Sequence, residues 1–442
     1  MSESHVPWLV GEIIVDYTIT PGPAENKIRL GGIVHAARGF WASGKPYVVA
    51  AVLPSYLEEV ARKYLQAHGC EELHILGYVT GSPNVMVNLD AIELADQGYE
   101  NLLFDEKSIT YTATDYSDHP IEDVLIFPGS YDLGLVSQRL PEKARVHIDV
   151  AYDITSGDAL APIGQPIETI LTSTSSPLFL TSEAKNVHDT AQLFAASNPA
   201  VVILKENRGG SALLNVSRNE IEHLPAQLGS TANSVGVGDV FAAAYLSALA
   251  NGAPEAGWRA TRAASAYAQT TYPDDFKDAV QKSLKLSLDD MRGLGGVRLS
   301  WEARASFSIY LAAPDFAEGE REAIDQVISS LSYHNFRVRR PVQENGELPK
   351  DSDFPTLKQT FLQDYALLKE CSVVFAVPTG RDPGTLVEVG IAIEAGMPVI
   401  VYDPGRENSN TMVIAGAVKY SSNLDDCLNE LFRQLSVLGT IS

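Results

Sequence analysis

The amino-acid sequence predicts an α/β protein built from two consecutive domains. Short β-like runs alternate with helical patterns from Trp8 to about Lys285, and the alternation starts again at Phe307. Strands that alternate with helices are typical of largely parallel sheets covered on both faces. A length of 442 residues also suits two or three domains of roughly 150 residues each. We therefore predict domains over 1–285 and 305–442, joined by a linker over 286–304.

The composition is that of an ordinary globular protein with an acidic surface. Hydrophobic residues make up 45% of the chain, charged residues 20%, and the formal net charge is −23. Such a surface repels phosphate backbones at long range, so we expect small-molecule substrates and no nucleic-acid partner. A local nest of backbone N–H groups could still bind a small anion.

Cysteine spacing and hydropathy give a prediction of the cellular compartment. Cys70, Cys371 and Cys427 form no CxxC pair, which favours a reducing compartment. The opening segment lacks the basic and apolar regions of a signal peptide. No apolar run approaches the roughly 18 residues of a membrane span. We therefore expect a cytoplasmic protein without a membrane partner.

In the N-terminal domain, the segments with strand composition are WLVGEIIVDY, YVVAAVL, VMVNL, VLIFPG, RVHIDV and VVILKE. Further along, Gly236 and Gly238 precede a helical stretch that ends near Gly252. These two glycines allow a tight turn whose N–H groups point one way, at the positive end of the helix dipole. Asp239 lies at the same place, where a carboxylate could take a proton from a hydroxyl that attacks a bound phosphate.

Two simpler interpretations apply to the glycine-containing segments. Asp239 could be an ordinary N-cap residue after a glycine turn, which is common. The segment Gly39–Lys45 (GFWASGK) fits the first seven positions of a P-loop, but Pro46 follows in place of Ser or Thr. The hydroxyl that would bind Mg²⁺ is therefore missing, and we interpret this segment as helix packing.

The segment NSVGVGDVF resembles the signature DTxGAGDxF of the ribokinase-like (PfkB) sugar and nucleoside kinases. VGEIIVD, RLGGIVHAARGFWASG and VVILKENRGGSALL extend the resemblance over about residues 8–285. It implies a ribokinase-like fold, ATP and Mg²⁺ as cofactors, and Asp239 as the catalytic base. The implied anion-hole and substrate-binding residues are Gly236, Val237, Gly238, Asp16, Gly31 and Gly32.

Several positions depart from the kinase pattern. His35 stands where the GG-containing segment carries Asn, Asn233 replaces the first Asp of the signature, and Asn207 replaces a Gly. The family's NxxE motif, which helps to organise Mg²⁺ and phosphate, is predicted near LFLTSEA. There Glu183 would be its Glu, while Leu180 stands in place of its Asn. A degenerate kinase-like domain used for ligand binding or assembly therefore stays open.

The C-terminal domain has the pattern of a smaller doubly wound unit. Its strand candidates are FSIYLAAP, VVFAVP and PVIVYDP, and helical patterns lie near Glu318–Ser332, Leu357–Glu370 and Thr385–Ala395. Gly396 follows the last helix at the position of a C′ residue. The loop after VVFAVP leads into GRDPGTLVEVGIAIEAG. Loops beyond the carboxyl ends of parallel strands are where such sheets bind ligands.

Asp364, Asp382 and Glu388 are predicted to share the cleft beside this loop. Carboxylates in one pocket can divide the work between an ionised nucleophile and groups that bind hydroxyls or a proton. All three could instead be solvated surface charges. Glu388 argues against this, because an unpaired carboxylate is costly within the apolar helix LVEVGIAIEAG.

The segment DPGTLVEVGIA resembles the motif DxGTxxElGyA of the nucleoside 2-deoxyribosyltransferases. IYLAAPDF, LQDYALLKECSVVFAVP and the N-x-M at Asn410–Met412 resemble further motifs of this family, over about residues 305–435. The resemblance implies a flavodoxin/Rossmann-like fold, no cofactor, and Glu388 as the nucleophile that attacks the anomeric carbon. The other implied pocket residues are Tyr310, Ala312, Ala313, Asp364, Asp382, Gly384, Thr385, Asn410 and Met412. Arg381 could serve a 5′-phosphate, and a homo-oligomer is implied because such an Asn enters the family's site from a neighbouring subunit.

Together the two resemblances predict a bifunctional enzyme of nucleoside or sugar metabolism. Its C-terminal domain would transfer or hydrolyse the N-glycosidic bond of a (deoxy)nucleoside or nucleotide. Its N-terminal domain would phosphorylate a sugar or nucleoside hydroxyl with ATP. Two alternatives stay open: a kinase-like domain that only senses a ligand beside an active glycosyl-transfer site, or two inert domains in a regulatory protein. The presence of Asp239 and Glu388 favours an enzyme.

Overall fold

The computed structural model describes residues 6–19, 26–103, 106–150, 154–315, 321–349 and 351–441. The chain divides into two compact units, with the main boundary between Arg298 and Leu299, and the short segment Leu94–Asp96 is assigned to the second unit. In the described ranges, the N-terminal unit has a thirteen-stranded sheet and the C-terminal unit a five-stranded sheet. The boundary falls inside the segment 286–304, which contains two short helices, α9 (Leu288–Gly293) and α10 (Trp301–Arg304).

The elements of the N-terminal unit begin with a long strand and end with α9. Its strands are β1 (Trp8–Thr18), β2 (Lys27–Gly32), β3 (Tyr47–Pro54), β4 (Cys70–Thr80), β5 (Val85–Asn88), β6 (Glu100–Asn101), β7 (Ser108–Tyr111), β8 (Asp123–Ile126), β9 (Arg145–Val150), β10 (Ile167–Ser173), β11 (Val201–Lys205), β12 (Ser211–Asn215) and β13 (Glu220–Leu224). The helices before α9 are α1 (Val34–Ser43), α2 (Glu58–Ala67), α3 (Leu133–Gln138), α4 (Pro177–Thr181), α5 (Val187–Leu193), α6 (Val237–Ala248), α7 (Ala253–Ala268) and α8 (Pro273–Ser283).

The main sheet of this unit has the order β13-β12-β11-β10-β9-β8-β1-β3-β4-β7. Neighbours from β11 to β4 are parallel, whereas β12, β13 and β7 pair antiparallel at the two edges. The second half of β1 leaves this sheet and pairs with β2 and β5. All six predicted strand segments form strands, and the wholly buried β3 is typical of a central parallel strand.

Helix packing explains the glycine segment that resembles a P-loop. Gly39 lies within α1, and a Cβ at that position would come within 2.9 Å of the Cβ of Ala243 on α6. Phe40 is fully buried and stacks on Tyr47 of β3. The sequence interpretation of this segment as packing agrees with these contacts.

The C-terminal unit contains five strands and the helices that connect them. The strands are β14 (Ser308–Ala312), β15 (Arg337–Arg339), β16 (Val373–Ala376), β17 (Val399–Tyr402) and β18 (Lys419–Ser421). After α10, the helices are α11 (Glu322–Tyr333), α12 (Pro341–Asn345), α13 (Phe354–Lys369), α14 (Pro383–Glu394), α15 (Thr411–Gly416) and α16 (Leu424–Ile441). The residues of the predicted 318–332 helix that precede 321 lie outside the described residues.

The second sheet has the order β15-β14-β16-β17-β18, and all its neighbouring pairs are parallel. Counted from its own first strand, this is the 2-1-3-4-5 order of flavodoxin-like folds. The prediction of a doubly wound flavodoxin-like unit is therefore confirmed. Gly396 adopts a φ of +71° after α14, as a C′ glycine does. Across the described part of the chain, no helix combines the length and apolarity that a bilayer crossing needs.

Candidate active sites

The candidate glycosyl-transfer site lies where the strand order of the C-terminal sheet reverses. β14 and β16 are neighbours at this point, and crevices form outside the carboxyl ends of two such strands. β14 provides Tyr310, and α14, which follows β16 after a short turn, provides Glu388. The Tyr310 hydroxyl donates a hydrogen bond to Glu388 Oε1 at 2.6 Å. Residues 78 positions apart are thus joined next to this point of the sheet.

Burial sets the protonation of this pair. It raises the pKa of Glu388 to about 7, and the charges of Asp364 and Asp382 add to the rise, while the hydrogen bond from Tyr310 opposes it. Burial and the Glu388 charge also raise the pKa of Tyr310, so the proton stays on the phenol. The arrangement is a half-buried carboxylate with a neutral donor on one oxygen.

The two neighbouring carboxylates are each fixed by a neutral group. Asp364 on α13 accepts a hydrogen bond from Asn345 Nδ2 at 2.7 Å, and burial raises its pKa. Asp382 caps α14 by accepting bonds from the Thr385 N–H at 2.7 Å and the Thr385 hydroxyl at 2.9 Å. Both charges act on the pKa of Glu388. Asn345 was not singled out by the sequence, because it belongs to none of the quoted motifs.

Four other predicted pocket residues lie at the end of β14 or in the first turn of α14. Ala312 is fully buried in β14, and Ala313 after it is half-buried. Gly384 is exposed, and a Cβ there would lie 3.1 Å from Asp382 Oδ2. Thr385 is buried at the start of α14, where its contacts are those to Asp382.

Three further candidates contact groups other than Glu388 or solvent: Asn410, Met412 and Arg381. The Asn410 side chain caps α15 by accepting the Met412 N–H at 2.9 Å, and Met412 is 76% exposed. Arg381 donates from Nε to the Glu407 carbonyl oxygen at 2.6 Å. The structure therefore brings Tyr310 to Glu388, whereas these three residues form local contacts.

The candidate kinase site lies at the carboxyl ends of the N-terminal parallel strands, beside the start of α6. Gly236 precedes the helix with a φ of +82°, Val237 begins it, and Asp239 lies in its first turn. Burial raises the pKa of Asp239 to about 7, the charges of Asp149 and Asp16 raise it further, and Lys205 opposes them. A carboxylate with this pKa is suited to accept a proton near neutral pH.

Asp16, the predicted sugar-binding carboxylate, is held by a histidine. It is only 3% exposed, and His35 Nε2 lies 2.6 Å from Asp16 Oδ2. The other ring nitrogen, Nδ1, lies 2.8 Å from the Tyr267 hydroxyl and 3.0 Å from Arg38 Nη1. Burial lowers the pKa of His35 to about 4 despite the charge of Asp16. His35 is therefore neutral, accepts at Nδ1, and donates its Nε2–H to Asp16.

The glycines of this site leave room for side chains. A Cβ at Gly31 would collide with the Asp16 carboxylate, and one at Gly236 would collide with the His35 ring. Gly32 has a φ of +60° at the end of β2. At Gly238, a Cβ would lie 3.0 Å from Lys205 Nζ, whose ammonium is bound by Asp149 Oδ2 at 2.6 Å.

The predicted NxxE segment lies on the surface instead. Leu180 is 56% exposed near the end of α4, and Glu183 is exposed after that helix. The loop that directly follows β10 is a run of hydroxyl residues, in which the Thr174 N–H donates to the Lys205 carbonyl oxygen at 2.9 Å. Lys205, which ends the apolar run VVILK, and Asp149 are the site residues that the sequence prediction missed.

The family model of the nucleoside 2-deoxyribosyltransferases matches residues 309–426. This match confirms the resemblance predicted for the C-terminal domain and indicates an enzyme. No curated protein matches the chain.

Solved structures similar to the N-terminal part are ribokinase-family kinases. Ribokinase from Thermotoga maritima is 16% identical, with a TM-score of 0.44 over 64% of this chain and 100% of that one. Ribokinase from Giardia lamblia is 12% identical, with a TM-score of 0.47 over 63% of this chain and 100% of that one. A nucleoside kinase from Methanocaldococcus jannaschii is 15% identical, with a TM-score of 0.43 over 62% of this chain and 98% of that one.

Proposed function

We propose that the C-terminal unit breaks the N-glycosidic bond of a (deoxy)nucleoside or nucleotide, with Glu388 as the nucleophile. The observation that carries this proposal is the contact between Glu388 Oε1 and the Tyr310 hydroxyl at the reversal point of the sheet. A partly desolvated carboxylate that lacks a charged partner gains from bonding to a developing cation. The match to the nucleoside 2-deoxyribosyltransferase family supports the same substrate class.

The geometry suggests how the two oxygens of Glu388 divide their roles. Tyr310 occupies Oε1, so we assign the attack on the anomeric carbon to Oε2. A C–O bond to Glu388 forms while the C–N bond breaks, and its electron pair leaves with the base. A second base or water then attacks the same carbon and frees the carboxylate. Two displacements retain the configuration of the sugar.

Asp364 and Asp382 are assigned to substrate binding. Both lie close enough for their charges to raise the pKa of Glu388, and both are fixed by neutral donors. A sugar hydroxyl or the edge of a base can add to such partners without breaking an ion pair. Tyr310 is assigned to orient the nucleophile. No cofactor is assigned to this unit.

Chromatography of nucleosides incubated with the protein tests this assignment. Wild-type protein should release or exchange the base, and Glu388→Ala should abolish that reaction. Glu394→Gln is the matched control, because Glu394 is an exposed carboxylate at the end of the same helix. A slow 2-fluoro analogue should leave a sugar adduct on the peptide that contains Glu388. Base release that survives Glu388→Ala refutes the nucleophile.

We propose a second activity for the N-terminal unit: transfer of a phosphoryl group from ATP to a sugar or nucleoside hydroxyl. The supporting observation is the position of Asp239 in the first turn of α6, with a pKa near 7. Asp239 would accept the hydroxyl proton, and the N–H groups at Gly236–Asp239 would bind the phosphate. That the two activities act in series on one substrate is a hypothesis.

One contact favours the alternative, in which the kinase-like unit only binds a ligand. His35 holds one oxygen of the Asp16 carboxylate in a buried network, so a sugar diol that binds Asp16 has to share this carboxylate with the ring. Incubation with ATP and a panel of ribosyl and deoxyribosyl compounds decides between the two. If no phosphorylated product forms, the unit is a binding module. Cytoplasmic location and a homo-oligomer remain predictions.

A further inference from the structure

Three structural elements converge on one lysine in the N-terminal unit. Lys205 ends β11 and Asp149 lies near the end of β9, on the two sides of β10 in the sheet. The Lys205 ammonium crosses to Asp149 Oδ2 at 2.6 Å. It also lies over the first turn of α6, 3.0 Å from the position that a Cβ of Gly238 would occupy. The glycine thus leaves the space in which the ammonium sits.

The ammonium has hydrogen-bond donors to spare at this position. The N-terminus of a helix carries a partial positive charge, and Asp149 and the nearby Asp239 supply negative charge beside it. Within the described residues the ammonium makes one side-chain hydrogen bond, to Asp149, which leaves N–H donors for an acceptor on a ligand. Asp149 Oδ1 is buried without a hydrogen-bond partner and could accept from a hydroxyl of the same ligand. The fully buried Thr174 hydroxyl, on the loop whose N–H bonds to Lys205, also has no partner. Unpartnered buried polar atoms are uncommon in native proteins and require an explanation.

The residues here fit a protein-held Mg²⁺ poorly. Within the ranges that the structure describes, no group of three or more His, Cys, Asp or Glu is arranged to hold a metal ion. Asp149 and Asp239 are neighbours, but the Lys205 ammonium already lies against Asp149. Glu183, the Glu of the predicted NxxE segment, is exposed after α4. The chain itself supplies a positive charge where a metal ion would otherwise be expected.

We propose that Lys205 binds an oxygen of a phosphoryl or pyrophosphoryl group at the N-terminus of α6. Asp149 positions the ammonium, and Gly238 lets it lie beside the first turn of α6, whose backbone N–H groups would donate to oxygens of the same group. The ligand class rests on the proposed phosphotransfer function, but the binding itself requires no catalysis. In transfer, the hydroxyl oxygen bonds to phosphorus, the bond to the leaving phosphate breaks with its electron pair, and Asp239 takes the proton. Lys205 neutralises charge on the phosphoryl oxygens throughout.

Calorimetric titration with pyrophosphate and with ATP, in EDTA and again with Mg²⁺, tests this role. Wild-type protein should bind both probes in EDTA. Lys205→Met should weaken that binding about tenfold or more, the loss expected for one charged contact. Lys205→Arg should retain most of the affinity. Lys63→Met is the control, because Lys63 forms an exposed ion pair with Glu59 on α2.

Removal of Lys205 alone leaves Asp149 buried without its partner and could unfold the unit. The double variant Lys205→Met with Asp149→Asn removes both charges and serves as the folded test, verified by its melting curve. Wild-type affinity in a folded double variant overturns the proposal. So does wild-type protein that binds neither probe in EDTA. Binding that depends on Lys205 without any phosphorylated product upholds the site and rejects only the kinase activity.

Discussion

The two candidate sites contain a carboxylate with the same shifted pKa in different surroundings. The pKa values of Glu388 and Asp239 both rise to about 7, and burial is the largest cause in each case. Glu388 has a neutral tyrosine and two acidic neighbours, whereas Asp239 lies near the Lys205–Asp149 ion pair. The shared value therefore follows from desolvation, and the neighbouring charges only adjust it.

The carboxylates that we propose to bind substrate differ more strongly than the two that we propose to be catalytic. In the C-terminal site, Asp364 and Asp382 are fixed by an amide and by a helix N-terminus. In the N-terminal site, Asp16 is bound by His35, which Arg38 and Tyr267 hold in turn. Each of these carboxylates uses one oxygen for the contacts named here. The difference is that the partner of Asp16 is a ring that two further side chains fix in place.

The largest expected effect comes from a substitution that should impair the N-terminal site and leave the C-terminal site unchanged. Asp239→Asn should lower phosphoryl transfer by roughly 10²- to 10⁴-fold, the range for loss of a general base. Base release should not change, because Glu388 and Tyr310 lie in the other unit. Phosphorylated product and free base are measured from the same incubation. Asp278→Asn, on α8 of the same unit, is the control variant.

If Asp239→Asn keeps the wild-type rate of phosphorylation, the raised pKa of Asp239 has no catalytic meaning. If instead Asp239→Asn lowers base release, the two reactions are coupled. Either outcome breaks the comparison between two separate carboxylates.

Local pattern accounts for what could be predicted from the sequence. Apolar runs bounded by turn residues predicted β1, β3 and β16, and the polar Glu388 within an apolar helix indicated a site. Contacts that join strands or helices far apart in the sequence could not be predicted in this way. Lys205 and Asp149 are 56 positions apart, and His35 and Tyr267 are 232 positions apart. A single lysine at the end of a strand gives no signal until the sheet order brings its partner near.

The second prediction concerns stability. Glu388 has a higher pKa in the folded protein, about 7, than its ordinary 4.5, so the unfolded chain holds fewer protons between these values. Stability therefore falls as the pH rises from about 4.5 to 7. Glu388→Gln removes this loss and should stabilise the C-terminal unit by about 3 kcal/mol at pH 8. Near pH 4 the difference should vanish.

Melting curves of wild type and Glu388→Gln at pH 4, 6 and 8 provide the measurement. Glu394→Gln should show no pH-dependent gain, since Glu394 is exposed. A Glu388→Gln gain that is equal at all three pH values would mean that packing, and not ionisation, limits stability at this position.

The substitution with the smallest expected effect, Tyr310→Phe, tests how the Tyr310 hydroxyl changes the pKa of Glu388, the proposed nucleophile. The hydrogen bond from Tyr310 lowers the pKa of Glu388, so its removal should raise that pKa above 7. The ionised fraction at pH 6 then falls, and base release should drop about tenfold there and less at pH 8. Tyr402→Phe is the matched control, because Tyr402 lies on β17 and donates to Gln326 instead. A Tyr310→Phe variant whose rate falls equally at both pH values would show that the hydroxyl contacts the substrate, and the assignment of Oε2 as the attacking atom would lose its basis.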